Sequence, residues 1–142
     1  MFDPEIVEIL KNNVFFLGTA QENVPRVRPM RPFVDETGNI WLISYKNTEK
    51  TKEIALNNKV ELCTVDDHNN VLRLQGWLQQ EKDVDAEELQ KARRQIVEQL
   101  SGVKEFFKEA GDPNMTVYKL IVDQVIFRSL DNAVETELHF RR

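Results

Sequence analysis

Hydrophobic and polar positions alternate along the first half of the chain in short runs that predict β-strands. Residues 14–19 form an apolar run, and alternation returns in residues 24–34 and 40–45. Polar turn residues separate these runs, and Gly38 lies inside the second turn. We therefore expect a first hairpin and, with the third run, three consecutive antiparallel strands.

Three other segments carry the spacing and the capping residues of helices. Pro4 suits the first turn of an N-terminal helix, and Thr48 can cap a second helix that runs to about Leu56. Asp85 and Glu88 resemble a capping box at the start of a third helix. The third helix has an apolar stripe with helical spacing, formed by Leu89, Ala92, Ile96 and Leu100. This stripe predicts that one face of the helix is buried.

The chain after the third helix predicts one more helix before the strands resume. Gly102 is expected to break the third helix, and the apolar spacing of residues 103–110 predicts a further helix that ends near Gly111. Strand patterns return in residues 116–128 and 133–140. The helices thus form an insertion that is followed by strands.

Strands also precede this helical insertion. Residues 60–65 and 71–79 are strand-like and are joined by a polar hairpin loop, with a candidate β-bulge at Gly76. Hairpin-linked strands on both sides of a helical insertion favour an antiparallel barrel over a parallel sheet. We expect an α+β fold with a single domain over residues 1–142.

The composition is that of a globular protein and excludes several classes of function. Of the 142 residues, 41% are hydrophobic and 30% are charged, and the formal net charge is -5. This charge repels polyanions, and no apolar run approaches the ~20 residues of a membrane span, so we expect neither a nucleic-acid partner nor a membrane. The N-terminus lacks the pattern of a signal peptide. Cys63, the single cysteine, has apolar neighbours, which predicts an inert core thiol and a cytoplasmic location.

The sequence lacks the common catalytic motifs. It has no glycine-rich phosphate loop, no paired-cysteine motif and no zinc-binding helix motif, and its two histidines, His68 and His139, lie far apart. We therefore expect no metal site. Cys63 lies in a strand pattern, where a packing role is much more common than a nucleophilic one.

The first candidate site is a basic segment of the second strand. Arg26 and Arg28 alternate with Val27, so both arginines should project from one face of the strand. Pro29 and Pro32 withhold two backbone donors from a neighbouring strand. A ligand could dock on this face, although a solvated basic strand edge that discourages aggregation explains the pattern equally well.

The second candidate site is the first turn of the second helix. This turn carries two lysines and two hydroxyl groups: Thr48, Lys50, Thr51 and Lys52. Cations here oppose the helix dipole, whereas a bound phosphate would meet free backbone N–H groups, hydroxyls and ammonium groups. The alternative is a solvated lysine pair that Glu49 and Glu53 neutralise within the helix.

Three segments, taken together and in order, resemble the pyridoxamine 5'-phosphate oxidase-like FMN-binding split-barrel family. They are Pro-Arg-Val-Arg-Pro-Met at residues 25–30, Ile-Trp-Leu-Ile-Ser at residues 40–44 and Glu-Lys-Thr-Lys-Glu-Ile at residues 49–54. The resemblance extends from the first helix to about Gln80 and is only topological beyond it. It implies an antiparallel split β-barrel with peripheral helices and a homodimer that holds FMN at the subunit interface.

The resemblance also assigns residues to the flavin phosphate. Lys50 and Thr51 would bind the phosphate, and Lys52 is a further candidate. Arg26 would reach phosphate or ribityl oxygens. One departure affects this end of the site, because Glu49 stands where many vitamin B6 oxidases carry an arginine.

The remaining assignments concern the flavin ring and the ribityl chain. Arg28 and Met30 would line the isoalloxazine, with Arg28 stabilising negative charge near the reduced flavin. Ile43 and Ser44 would border the ribityl chain. The facing hairpin adds two further candidates, Arg73 and Gln75.

The resemblance implies a flavin-dependent oxidoreductase with an unknown small-molecule substrate. Glu137 stands where the oxidases carry the arginine of a substrate-binding Arg-x-His segment, which argues against oxidation of pyridoxamine phosphate. A non-catalytic FMN carrier or electron-transfer module, and a cofactor-free interaction protein of the same fold, remain alternatives. A deazaflavin or a haem in place of FMN is also compatible with the sequence.

Overall fold

The computed structural model describes residues 2–129 and the backbone of residues 134–139. The helices are α1 (Pro4–Asn12), α2 (Glu49–Leu56) and α3 (Ala86–Gln99). The strands are β1 (Phe15–Gln21), β2 (Val24–Met30), β3 (Phe33–Val34), β4 (Ile40–Tyr45), β5 (Lys59–Val65), β6 (Val71–Gln79), β7 (Met115–Ser129) and β8 (Val134–His139). Short 3-10 turns cover Glu81–Asp83 and Val103–Glu105. The three helices predicted from their capping residues and apolar spacing are confirmed.

All strand pairs are antiparallel and follow the order β2-β1-β5-β6-β7-β4-β3. The long strand β7 pairs with β6 along one edge, while its other edge is shared by β4 and β8. The ladder between β6 and β7 shifts register at Gly76. A Cβ at Gly76 would lie 2.0 Å from the Ile121 carbonyl oxygen, so only glycine fits this bulge. The expected α+β split-barrel fold is confirmed.

Two apolar cores occupy the two sides of this sheet. The first fills the barrel and includes Phe15, Leu17, Leu62, Leu74 and Val125. The second lies between β4, β7 and α3 and includes Trp41, Ala92, Ile96, Met115 and Val117. Strand alternation divides β4 between them, because Ile40 and Leu42 face the barrel while Trp41 faces α3. The apolar stripe of α3 therefore covers the barrel.

The predicted strand 24–34 is interrupted, and its neighbours differ from those expected. β2 ends at Met30, and the two-residue β3 pairs with β4. Within the described residues, β4 pairs with β3 and β7 and not with β2. The expectation of three consecutive antiparallel strands is therefore wrong, since β1 and β2 form one hairpin and β4 joins the sheet beside β7.

The helix predicted for residues 103–110 is also wrong, because only one 3-10 turn forms there. Gly102 adopts a left-handed conformation with φ 83°, as a helix terminator should. The carbonyl groups of Ala110 and Asp112 accept hydrogen bonds from the Arg93 side chain on α3. This segment therefore satisfies its backbone through a neighbouring element.

Cys63 does not lie in either core. Alternation along β5 buries Leu62 and Thr64 and turns Cys63 with Glu61 to the opposite face of the sheet. Burial raises the pKa of the half-buried Cys63 thiol, and the Glu61 carboxylate adds to this effect. The thiol is therefore protonated at neutral pH, although its expected core position is wrong.

None of the helices in the described part of the chain is long and apolar enough to cross a membrane.

Candidate functional site

A cavity of about 660 Å³ opens beside the ends of β2 and β4. Four segments line it: residues 28–31 at the end of β2, 43–45 at the end of β4, 48–50 at the start of α2, and the loop 100–107 after α3. Its size falls within the range of small-molecule binding sites. Both candidate segments of the sequence, the β2 arginines and the first turn of α2, thus meet at one cavity.

Thr48 begins α2 and brings the first turn to the cavity. Its side-chain oxygen accepts a hydrogen bond from the Thr51 N–H at 3.3 Å, which is the expected cap. The Thr51 hydroxyl donates to the Thr48 carbonyl oxygen at 2.8 Å. Thr51 therefore uses both of its donors within the turn, and the first-turn N–H groups of Glu49 and Lys50 are left without helical acceptors.

Lys50 supplies the positive charge at this end of the cavity. Its side chain is half-buried, and burial lowers its pKa, with a further contribution from the nearby Arg28 guanidinium. Among the described residues, no carboxylate lies within ion-pair distance of its ammonium group. A bound anion would relieve both penalties, because it would neutralise the desolvated ammonium and screen it from Arg28.

The two arginines of β2 converge on Glu53, which is buried with its side chain 1% exposed. Arg28 Nη2 donates to Glu53 Oε2 at 2.9 Å, and the Thr19 hydroxyl donates to the same oxygen at 2.7 Å. Arg26 Nε lies 3.0 Å from Oε1, an ion pair without hydrogen-bond alignment. Burial alone would raise the pKa of Glu53, but these hydrogen bonds and the two guanidinium charges lower it.

Glu53 changes the electrostatics expected from the sequence. Its pairing with the helix lysines is wrong, because the carboxylate turns inward to Arg26 and Arg28 instead. The single buried carboxylate thus partly neutralises two guanidinium groups and fixes that of Arg28 at the cavity wall. Glu53 and Thr19 were not predicted as site residues. The signals that could have found them are a hydroxyl at an inward position of β1 and a carboxylate beside Ile54 on the buried face of α2.

The other predicted site residues fall into three groups. Met30, Ile43 and Ser44 line the cavity with Arg28 and Lys50. Arg26, Thr51 and Lys52 are near the cavity without lining it, and Lys52 lies 3.9 Å from the Glu49 carboxylate on the helix surface.

Arg73 and Gln75 lie away from the cavity. Both donate hydrogen bonds to Glu61 Oε1, at 2.8 Å and 2.7 Å, on the face of the sheet that also carries Cys63. Neither residue lines the cavity of the same chain.

An aromatic group that the sequence analysis did not assign to the site forms another part of the cavity wall. Tyr45 and Phe106 stack edge to face with ring centroids 6.2 Å apart, and Phe107 lies 4.6 Å from Tyr45. Phe107 is buried, whereas Phe106 is 60% exposed and Tyr45 is 45% exposed. Large exposed aromatic side chains beside a cavity are typical of ligand contacts.

Arg93 on α3 binds the chain segment that follows Phe106 and Phe107. Its guanidinium donates to the carbonyl oxygens of Ala110 at 2.6 Å, Asp112 at 2.8 Å and Met115 at 3.0 Å, and it forms an ion pair with Glu81. The Arg93 side chain is 8% exposed. A buried guanidinium that donates to three backbone carbonyl groups of residues 110–115 and to Glu81 is a strong structural clamp on the segment that follows Phe106 and Phe107.

No group of three or more metal-ligating side chains occurs among the residues whose structure is described. His68 lies in the turn between β5 and β6, away from the main cavity. The side chains of Glu137 and His139, which bear on the oxidase substrate segment, lie outside the described residues.

Comparison with known proteins agrees with the fold. A NimC/NimA family protein from Clostridium acetobutylicum has a TM-score of 0.79 at 20% identity, covering 96% of this chain and 90% of that chain. A pyridoxamine 5'-phosphate oxidase-related, FMN-binding protein from Nostoc punctiforme PCC 73102 has a TM-score of 0.70 at 19% identity, covering 100% of both chains. A heme-binding protein from Mycobacterium smegmatis has a TM-score of 0.74 at 15% identity, covering 98% of this chain and 60% of that chain.

At these identities the structural likeness establishes the fold alone. No curated protein matches the chain. The model of the pyridoxamine 5'-phosphate oxidase family matches residues 2–129, which confirms the family that the sequence motifs resemble. The chain therefore belongs to the pyridoxamine 5'-phosphate oxidase family.

Proposed function

We propose that the chain is an FMN-binding domain, one unit over residues 1–142, and a flavin-dependent oxidoreductase for a small molecule. The observation that carries the proposal is Lys50, a half-buried ammonium without a carboxylate partner among the described residues, beside free N–H groups at the start of α2. A phosphate monoester matches this combination of charge and donors. The family and its FMN-binding relative from Nostoc support the choice of flavin.

Lys50 and the first-turn N–H groups hold the phosphate in this proposal, while Thr51 keeps the turn in shape. Lys52 and Arg26 lie outside the cavity wall, so they contribute longer-range positive charge. Ser44 and Ile43 border the ribityl chain in this proposal, since both line the cavity. The glutamate at position 49 is 80% exposed and can turn to solvent, so it does not oppose the phosphate directly.

Arg28 and Met30 form the wall for the isoalloxazine. Glu53 and Thr19 restrict the Arg28 guanidinium to one position, so its charge is already oriented when a ligand enters. A fixed guanidinium stabilises negative charge that develops on a neighbouring ring without the cost of reorientation. Bound FMN would supply the hydride or electron transfer, and the protein would supply orientation and electrostatics.

We further propose a homodimer, with the outer face of β1 and β2 as the subunit interface. The strand register places Phe16 opposite Pro29 and Gly18 opposite Val27 on this face. Phe16 is 50% exposed and Val27 is 70% exposed, so the face presents apolar side chains to solvent. Arg73 and Gln75 share this face, so they would contact a flavin only across the interface, in the partner subunit.

A flavin titration tests the cofactor assignment. The absorption spectrum of the purified protein distinguishes flavin bands from the Soret band of a haem, and FMN is then titrated into cofactor-free protein by fluorescence quenching. Lys50→Gln should weaken FMN binding by about tenfold to a hundredfold, because charge-assisted hydrogen bonds contribute about 1.5–3 kcal/mol. The control Lys59→Gln removes an exposed lysine outside the cavity and should change binding by less than about twofold.

Absence of FMN binding would refute the proposal, and equal binding by Lys50→Gln would refute the phosphate assignment. Turnover decides between the oxidoreductase and a carrier. A bound flavin that reoxidises rapidly without saturable turnover of any substrate would identify an FMN carrier or electron-transfer module. We also propose the cytoplasm as the compartment, from the single cysteine of the chain.

A further inference from the structure

The wall formed by residues 100–107 has a chemistry distinct from the rest of the cavity. Its lining side chains are uncharged and include Leu100, Ser101, Val103 and Phe106. Phe106 exposes 60% of its surface, and its ring meets Tyr45 edge to face at an interplanar angle of 88°. A flat ring can complete this arrangement by packing against the exposed ring, which buries apolar surface and adds an aromatic contact.

The charges that line the cavity belong to its other walls. Arg28 is bound to Glu53, and Lys50 is taken by the phosphate in the proposed function. Arg31 and Glu49 line the cavity with opposite signs, and both are exposed. With FMN in place, an anionic second ligand at the 100–107 wall would be desolvated against uncharged side chains, because Arg31 lies on another wall and is exposed to solvent, and this desolvation costs free energy.

From this geometry we propose that Tyr45 and Phe106 form a substrate subsite beside the flavin for a flat, uncharged aromatic molecule. The inference rests on the proposed function, because the ligand of this subsite is a substrate only when FMN occupies the rest of the same cavity. Arg93 supports it as a positioning residue, because its guanidinium fixes three backbone carbonyl groups in residues 110–115, the segment that directly follows the 100–107 wall. Because its lining side chains are uncharged, the subsite disfavours phosphorylated or carboxylated substrates.

Two probes with one ring system separate shape from charge. FMN-saturated protein is titrated by calorimetry with 2-naphthol, which is neutral at pH 7, and with 2-naphthoate, which is an anion. We expect 2-naphthol to bind at least about fivefold more tightly, because the uncharged 100–107 wall offers the carboxylate no cation. Phe106→Ala should weaken 2-naphthol by roughly tenfold while leaving FMN affinity within about twofold.

The control variant is Leu56→Ala, which truncates an apolar side chain that is 71% exposed and lies away from the cavity. It should leave 2-naphthol binding unchanged. Three results would overturn the subsite: binding that Phe106→Ala does not weaken, tighter binding of 2-naphthoate, or competition between 2-naphthol and FMN. Conversion of a dimer to a monomer by Phe106→Ala would also overturn it, since the exposed ring would then belong to a subunit interface.

Failure of the proposed function is distinguishable from failure of the subsite. If FMN does not bind, 2-naphthol is titrated into the cofactor-free protein. Binding that depends on Phe106 would then retain the aromatic subsite while the flavin function is abandoned. Absence of such binding would overturn both.

Discussion

Replacing Glu53 with glutamine tests whether the buried carboxylate organises the site. Its Oε2 accepts hydrogen bonds from Thr19 at 2.7 Å and from Arg28 at 2.9 Å, and Arg26 lies 3.0 Å from Oε1. Removing one member of a buried ion pair typically costs about 3–5 kcal/mol. The cost here should be lower, because glutamine still accepts hydrogen bonds and the side chains of Arg28 and Arg26 are 21% and 58% exposed, so water can reach them.

We therefore expect Glu53→Gln to lower the free energy of unfolding by about 2 kcal/mol at neutral pH. For a chain of this size the melting temperature should fall by about 6–10 °C. Urea unfolding followed by tryptophan fluorescence measures the free energy directly. The control Glu61→Gln alters a glutamate that accepts hydrogen bonds from Arg73 and Gln75 but is 36% exposed, so we expect a loss below about 1 kcal/mol.

The pH dependence provides a second, independent readout. The pKa of Glu53 in the folded protein lies below its ordinary value of 4.5. The carboxylate therefore contributes its full stabilisation above the pKa of the unfolded chain, and this contribution is lost as pH falls through the lower folded pKa. The stability difference between wild type and Glu53→Gln should be constant above about pH 6 and shrink below about pH 4.5. A stability difference that grows on acidification would refute this role of Glu53. A loss of unfolding free energy below about 0.5 kcal/mol at neutral pH would refute it as well.

Two further variants test the subunit interface and the cavity wall. Val27→Asp places a charge on the outer face of β2 and should shift a dimer to monomer in sedimentation, whereas Val24→Asp, on the opposite face of the same strand, should not. A wild-type protein that sediments as a monomer would contradict the interface. Arg93→Met leaves three loop carbonyls without their donor and should destabilise the fold by about 3–5 kcal/mol, with faster amide hydrogen exchange in residues 100–115. The neighbouring Arg94 is exposed, so Arg94→Met should leave amide hydrogen exchange unchanged. Equal effects of the two variants would contradict the structural role of Arg93.

Local sequence signals predicted most of the elements and the two basic segments that line the cavity, the end of β2 and the first turn of α2. Thr48 and Asp85 cap α2 and α3 through side-chain oxygens, and each of these interactions spans only three residues. Gly76 marks the register shift of β6, because backbone crowding at a bulge excludes a side chain. Lys50 faces the cavity as its place in the first turn suggests. The caps and the first turn of α2 depend on neighbours in the chain, so the sequence alone is sufficient to predict them. The bulge is marked by a glycine inside a strand pattern, although the backbone that crowds it belongs to Ile121 of β7.

Contacts between distant segments decided what local patterns left open. Residues 103–110 have helical apolar spacing, yet their path follows carbonyl contacts to Arg93 on another element. Alternation assigns Cys63 and Leu62 to opposite faces of β5 but does not say which face is the core. The position of β4 beside β7 depends on a pairing across seventy to eighty residues, from Tyr45 with Met115 at one end of the ladder to Ile40 with Leu120 at the other.

The charge balance of the site shows the same division. The sequence by itself determined that basic groups would gather on β2 and at the start of α2, because strand alternation and helix capping are local. The pairing of Glu53 with Arg26 and Arg28 follows from the tertiary structure alone, as does the position of Lys50 with no carboxylate partner in the part of the chain that the structure describes. The physical reason is that a buried carboxylate must find donors wherever the packed core brings them, and Thr19 and Arg28 reach it from segments 34 and 25 residues away.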